Sequence, residues 1–263
     1  MTPAATPRSE LATRTFVGAV LIALALVDLV GGGIWLWLLT SLAAMLMLAE
    51  WSDLAKADRR SKRLTLFAAC VPLAIMAPAP VAAGASFLAL GLIFGAAFFA
   101  AIVTQQARLG VGIVYVALPA LALLFLRAQP DGLLLALWVL ATVWTTDIGA
   151  FFAGRAIGGP KLAPTVSPNK TWAGLIGGVL AAFALGLVLA RTAELPLQLA
   201  IASPILAVIA QIGDLYESAL KRRAGVKDSG TILPGHGGVM DRLDGLVPAA
   251  PAAAILILVN RIV

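Results

Sequence analysis

The stretch Gln211 to Gly245, QIGDLYESALKRRAGVKDSGTILPGHGGVMDRLDG, gathers residue types that can do chemistry. It holds five of the thirteen acidic residues: Asp214, Glu217, Asp228, Asp241 and Asp244. It also holds the cations Lys221, Arg222, Arg223, Lys227 and Arg242, and the single histidine, His236, in a Pro-Gly turn. Apolar stretches able to span a bilayer flank it on both sides, and ionisable groups beside such spans read by default as a functional site. Asp241 and Asp244 stand three apart, so a helix there puts both carboxylates on one face. Clustered carboxylates repel one another; a divalent cation relieves this, and oxygen-only ligands suit Mg²⁺.

A second polar island, residues 147–178, reads DIGAFFAGRAIGGPKLAPTVSPNKTWAGLIGG. Asp147 closes a span, and Arg155, Lys161 and Lys170 follow in a loop broken by Gly158, Gly159, Pro160, Pro164 and Pro168. Its glycines would let backbone N–H groups approach an anion closely. Thr171 opens the next span, whose N-terminal end is a natural phosphate seat. Gly154-x4-Gly159 has P-loop spacing, but Pro160 stands where lysine is required, which excludes that motif.

Acids beside cations suggest phosphoryl or nucleotidyl transfer. Two unit charges at 4 Å repel by about 4 kcal/mol at an effective dielectric of roughly 20, a cost that Mg²⁺, Lys and Arg must cancel. A phosphate monoester is already an anionic nucleophile at neutral pH, so no strong general base is needed. His236 is accordingly read as a loop or phosphate hydrogen-bonding residue rather than a base.

The elements that position these islands follow from composition. Hydrophobic residues make up 61% of the 263, charged residues only 12%, and mean hydropathy is +0.98. A soluble globule carries about 25% charged residues, so the chain reads as an all-α polytopic integral membrane protein. At roughly 20 residues per span, nine transmembrane helices are expected near 15–30, 34–50, 64–79, 81–103, 109–126, 132–153, 172–190, 197–216 and 245–260. A polar tail, residues 1–14, precedes a single transmembrane catalytic domain, residues 15–263. Gly31-Gly32-Gly33 divides the first two spans into a retained hairpin rather than a cleaved leader.

With the N-terminus inside, only Arg127, Arg191 and Arg261 of the nineteen cations face outward. This bias supports N-terminus in, C-terminus out, with the polar active-site loops facing the cytoplasm. It also explains the net charge of +6 without a nucleic-acid partner. The six tryptophans lie mostly toward span ends and read as interfacial anchors. Cys70 excludes a disulfide framework and reads as a small buried or lipid-facing side chain. Gly91-x3-Gly95 and Gly174-x3-Gly178 are candidate close helix contacts.

The chain resembles the phosphatidate cytidylyltransferase (CDP-diacylglycerol synthase) family. Ser218, Lys221, Arg222, Lys227, Asp228, Gly230, Pro234, His236, Gly237, Gly238, Asp241, Arg242 and Asp244 carry its signature. Upstream, Asp147, Gly154-Arg155, Lys161-Leu162-Ala163-Pro164, Ser167-Pro168, Lys170-Thr171 and Gly174 match as well. The detailed match covers the C-terminal half; before Asp147 only the run of apolar spans agrees. Ala173 stands where the family usually has Glu or Gln, and Gly245 where Ser is common.

The resemblance implies transfer of CMP from CTP to phosphatidic acid by a homodimeric, multi-pass protein of the bacterial inner membrane. It implies Mg²⁺, with a monovalent cation such as K⁺ as the candidate second ion. Asp214, Asp241, Asp244 and Lys227 carry over as reaction-centre residues, and Asp214, Asp241 and Asp147 as metal carboxylates. Lys161, Ser167, Lys170, Thr171, Ser218, Lys221, Arg222, Asp228, His236 and Arg242 carry over as substrate contacts. The reading from another class is an ion or lipid-phosphate transporter with Asp147 and Asp214 as intramembrane ligands, but no pair of broken spans appears in the two halves.

Overall fold

The computed structural model describes residues 7–232 and 237–260. The helices are α1 (Pro7–Gly31), α2 (Gly33–Leu54), α3 (Arg59–Ile75), α4 (Phe87–Thr104), α5 (Ala107–Arg127), α6 (Gly132–Ile157), α7 (Trp172–Thr192), α8 (Leu197–Ala224), α9 (Met240–Leu243) and α10 (Leu246–Asn260). Six of them, α2 and α4 to α8, are long and apolar enough to cross a membrane. Outward faces carry large apolar side chains such as Phe67, Phe87, Phe98 and Phe152. A water-facing surface would not concentrate such residues, and a bilayer favours them.

Local signals explain where the helices begin and end. Asp58 caps α3 by accepting from the Arg60 and Ser61 amides, and Ser86 caps α4 through the Ala89 amide. These caps correct two boundaries. The third span starts earlier than expected, at Arg59, and the fourth later, at Phe87 rather than residue 81. Gly32 (φ 59°) turns α1 into α2 as the Gly-rich junction implied, although α1 already starts at Pro7, inside the stretch taken as a polar tail.

One expectation of architecture is corrected. The loop after α6 holds a small antiparallel hairpin, β1 (Lys161–Ala163) and β2 (Ser167–Thr171), so the fold is not wholly helical. Pro160, Pro164 and Pro168 exclude helix there, and proline is tolerated on the free edge of a two-stranded ribbon.

The bundle is organised around α5, which packs on α2, α3, α4, α6 and α10; α7 is sandwiched between α6 and α8. Close approach of α7 to α6 depends on small residues: a Cβ on Gly178 would lie 2.7 Å from the Thr146 carbonyl oxygen. Of the two glycine pairs, Gly174 and Gly178 therefore mark a helix contact, whereas Gly91 and Gly95 face open space.

The tryptophans also divide. Trp35 and Trp172 are exposed, as anchors should be, but Trp51 and Trp138 are buried. Trp138 Nε1 donates to Ser203 Oγ at 2.9 Å and Trp51 Nε1 to the Arg108 carbonyl at 2.8 Å. A buried indole needs an acceptor, and here it ties α6 to α8 and α2 to α5. Cys70 is exposed on α3.

Candidate active site

Helix α8 continues past the expected end of its span to Ala224 and stops at Gly225, whose φ of 80° suits glycine. The extra two turns place Asp214, Ser218 and Lys221 on one helix face, at i, i+4 and i+7. The β hairpin then returns Lys170 toward that face. Lys170 Nζ lies 2.5 Å from Asp214 Oδ2 and donates to Gln211 Oε1 at 2.9 Å. Gln211 Nε2 in turn donates to Asp147 Oδ1 at 3.1 Å. One amide thus couples the acid of α6 to the lysine of the hairpin. Ser218 Oγ lies 3.4 Å from Asp214 Oδ1.

Asp147, Lys170, Gln211 and Asp214 border a cavity of about 680 Å³ lined also by Arg155, Asn169 and Thr171. The Lys170 and Asp214 side chains remain 20% and 27% exposed, so the pair can be reached by a ligand. Thr171 Oγ1 accepts from the Gly174 amide at 3.0 Å and caps α7. That is its local reason for being a hydroxyl residue.

A second cluster lies one to two turns along α8. Lys221 Nζ bridges Glu217 Oε2 at 3.1 Å and Asp241 Oδ1 at 2.5 Å. The other oxygen of Asp241 accepts from the Ser229 amide at 2.9 Å and the Gly238 amide at 2.8 Å, with Ser229 Oγ at 3.0 Å. Burial works against the charge of Asp241, but Lys221 and the two amides outweigh it and hold the carboxyl below its ordinary range.

Asp244, like Asp241, acts on Glu217, but its backbone donor is different. Its oxygen accepts from the Gly245 amide at 2.7 Å, and burial first, then the Asp214 charge, pushes its carboxyl up to about 7. Its main chain packs directly on Gly213, where a Cβ would collide with the Asp244 carbonyl. The backbone at Asp244 therefore meets α8 one residue from Asp214. Gly245 is enclosed likewise: a Cβ there would come 3.1 Å from Val143 Cγ1.

Most of the remaining predicted contacts lie at the surface. Lys161, Arg222, Lys227, Asp228 and Arg242 are exposed, and Ser167 is partly buried in β2. His236 lies outside the described residues. Among the described residues no three His, Cys, Asp or Glu side chains form a ready-made metal cage. The donor set nonetheless has the oxygen chemistry of Mg²⁺, which is commonly held by one or two carboxylates together with substrate phosphates.

Two polar residues with evident roles here escaped the sequence reading. Gln211 was overlooked because a lone glutamine carries no charge signal. Glu50, 3% exposed in α2, accepts from Ser229, Val239 and Met240. Its signal was available, as an acid at the end of an apolar run.

Residues 12–260 match the model of a family described as the cytidylyltransferase family. The chain is similar to the phosphatidate cytidylyltransferase of Brucella suis biovar 1 (strain 1330), 40% identical over 251 residues, covering 92% of this chain and 91% of the relative. It is similar too to proteins of that name from Rickettsia bellii (strain RML369-C) and Staphylococcus haemolyticus (strain JCSC1435). The first is 40% identical over 162 residues, covering 57% of this chain and 68% of the relative. The second is 40% identical over 155 residues, covering 58% and 56%.

Proposed function

The chain belongs to the cytidylyltransferase family, and on that premise we propose that it transfers the cytidylyl group of CTP to phosphatidate. A phosphate oxygen of phosphatidate attacks the α-phosphorus of CTP; the new P–O bond forms as the bond to pyrophosphate breaks. The products are CDP-diacylglycerol and pyrophosphate. The observation that carries this reading is the match over 92% of the chain to a relative of that name. It leaves the transporter reading without an observation of its own.

The geometry supports the reading. Lys170, on a cavity wall beside Asp214, is placed to hold a phosphate oxygen, and Gln211 fixes it there. Lys221 is held by two acids and can orient Asp241 or meet a phosphate, with Lys161, Lys227, Arg222 and Arg242 as exposed cations for the rest. Asp214, on the cavity wall with Asp147, would hold Mg²⁺ together with substrate phosphates, and Asp241 would join them only by giving up its present hold on Lys221. The ion would neutralise charge developing on the phosphates, and K⁺ is the proposed second cation. Asp244 packs its backbone on Gly213, one residue from Asp214, at the α9–α10 junction.

For topology we propose nine spans in one domain, in the inner membrane of a bacterium, as a homodimer. The N-terminus lies inside and the C-terminus outside. The charge bias supports this orientation, and α1, α3 and α10 supply the three crossings beyond the six long apolar helices. The deciding experiment is pyrophosphate release by purified protein in mixed micelles with phosphatidate, CTP and Mg²⁺. Release should require both substrates, fail with ATP in place of CTP, and stop with EDTA. Release without phosphatidate, or none from folded protein, would contradict the proposal.

A further inference from the structure

Glu50 ends the apolar run of α2, outside every motif that carries the family resemblance. A buried carboxylate needs donors, and the donors it finds all come from one region nearly two hundred positions later. Oε1 accepts the Val239 amide at 2.8 Å, and Oε2 accepts the Met240 amide at 2.9 Å and the Ser229 hydroxyl at 2.9 Å. The same hydroxyl lies 3.0 Å from Asp241 Oδ2. Its single proton cannot serve both acids at once, so Ser229 couples Glu50 to Asp241.

The backbone is shaped around this carboxylate. A Cβ on Gly230 would come 2.9 Å from Glu50 Oε1, and one on Gly238 would come 2.6 Å from Glu50 Cδ. Neither neighbour could yield, because the carboxylate is already held by three donors. Gly238 also gives its amide to Asp241 at 2.8 Å. The two acids therefore hold the same residues, Ser229 and the Gly238–Met240 backbone, Glu50 from α2 and Asp241 from α9.

We propose that Glu50 is a positioning residue for cytidylyl transfer: it fixes Ser229 and the Val239–Met240 amides so that Asp241 is held in place and, through it, Lys221 is kept where it can meet a reacting phosphate. The inference rests on the function proposed above. It also gives the N-terminal half of the chain a part in the chemistry.

The test uses full-length protein in mixed micelles and measures kcat, KM for CTP and melting temperature. Glu50→Gln keeps the volume but turns an NH₂ group toward backbone N–H donors. The expected result is a kcat at least tenfold lower, KM within threefold of wild type and a melting temperature within a few degrees. Glu50→Asp should recover part of the rate. Val239→Pro deletes one donor while leaving Glu50 intact, and Val239, with φ of −68°, already has the backbone angle proline requires. It should show a smaller loss, again in kcat alone.

An active wild type with Glu50→Gln within twofold of its kcat overturns the inference alone. So does a kcat loss that merely tracks a fall in melting temperature. If Glu50→Gln does not fold, Val239→Pro decides: an unchanged kcat overturns the inference, and a lower kcat at unchanged melting temperature supports it. A folded wild type that releases no pyrophosphate overturns the transfer reading, and this inference with it.

Discussion

Lys170 and Asp214 meet at 2.5 Å, which joins the two polar islands of the chain across the gap between the β hairpin and α8. Both side chains keep some exposure, so solvent screens the pair and its contribution to stability is small. Its value is placement: a cation and an acid stand side by side on the wall of one cavity.

Asp214→Asn should lower kcat by about a hundredfold or more, the scale seen when one electrostatic group is removed from a reaction centre. The melting temperature should change little, because the carboxylate is partly exposed. Near-native turnover in the micelle assay would remove Asp214 from the site.

Gln211→Leu tests the bridge. Losing the amide frees Lys170 from one of its two holds and leaves Asp147 without its hydrogen bond. We expect kcat to fall by about tenfold, in the range of a misplaced positioning group. An equal loss in Lys170→Gln and in the double variant would show that both act through one contact.

Asp241→Asn should cost both activity and stability, unlike Asp214→Asn. Lys221 and Asp241 have side chains only 12% and 5% exposed, and breaking a buried pair costs about 3–5 kcal/mol. A lower melting temperature in detergent with helical circular dichroism retained is the expected signature. Unchanged melting would show that Glu217 alone suffices to hold Lys221.

Arg127 should prove structural. Its guanidinium donates to the Leu29 carbonyl at 2.8 Å and the Val30 carbonyl at 3.1 Å, tying α5 to the end of α1. Arg127→Leu should lower the melting temperature by a few degrees and leave kcat of the folded fraction unchanged. This role accounts for one of the three cations on the side proposed to face outward.

Asp58 carries a pH prediction. Its hydrogen bonding with Ser61 holds its carboxyl below 3.8, its ordinary value. A depressed acid contributes stability that is present above that value and lost as pH falls through the lower folded one. As pH falls below about 4 the melting temperature of wild type should therefore fall more steeply than that of Asp58→Asn. Parallel curves would show that the cap carries no charge-dependent stability.

Much of this protein is legible in one dimension. Hydropathy marks the membrane character because apolar spans are continuous runs, and the spacing of acids, lysines and glycines between Asp147 and Gly245 marks the reaction. The β hairpin was harder to read: three prolines excluded a helix but did not say that Lys161 and Thr171 would pair. Asp241 and Asp244, three apart, both act on Glu217 of α8, but their backbone donors differ: Ser229 and Gly238 for the one, Gly245 for the other.

Only the tertiary structure decided which acid meets which cation. Lys170 finds Asp214, and Glu50 finds Ser229, because helices distant in sequence pack side by side and a buried charge must take its donors from whatever backbone lies opposite. Residue type, run length and local spacing are properties of the chain alone. Partnership across the bundle depends on how the helices pack, and no local pattern encodes that.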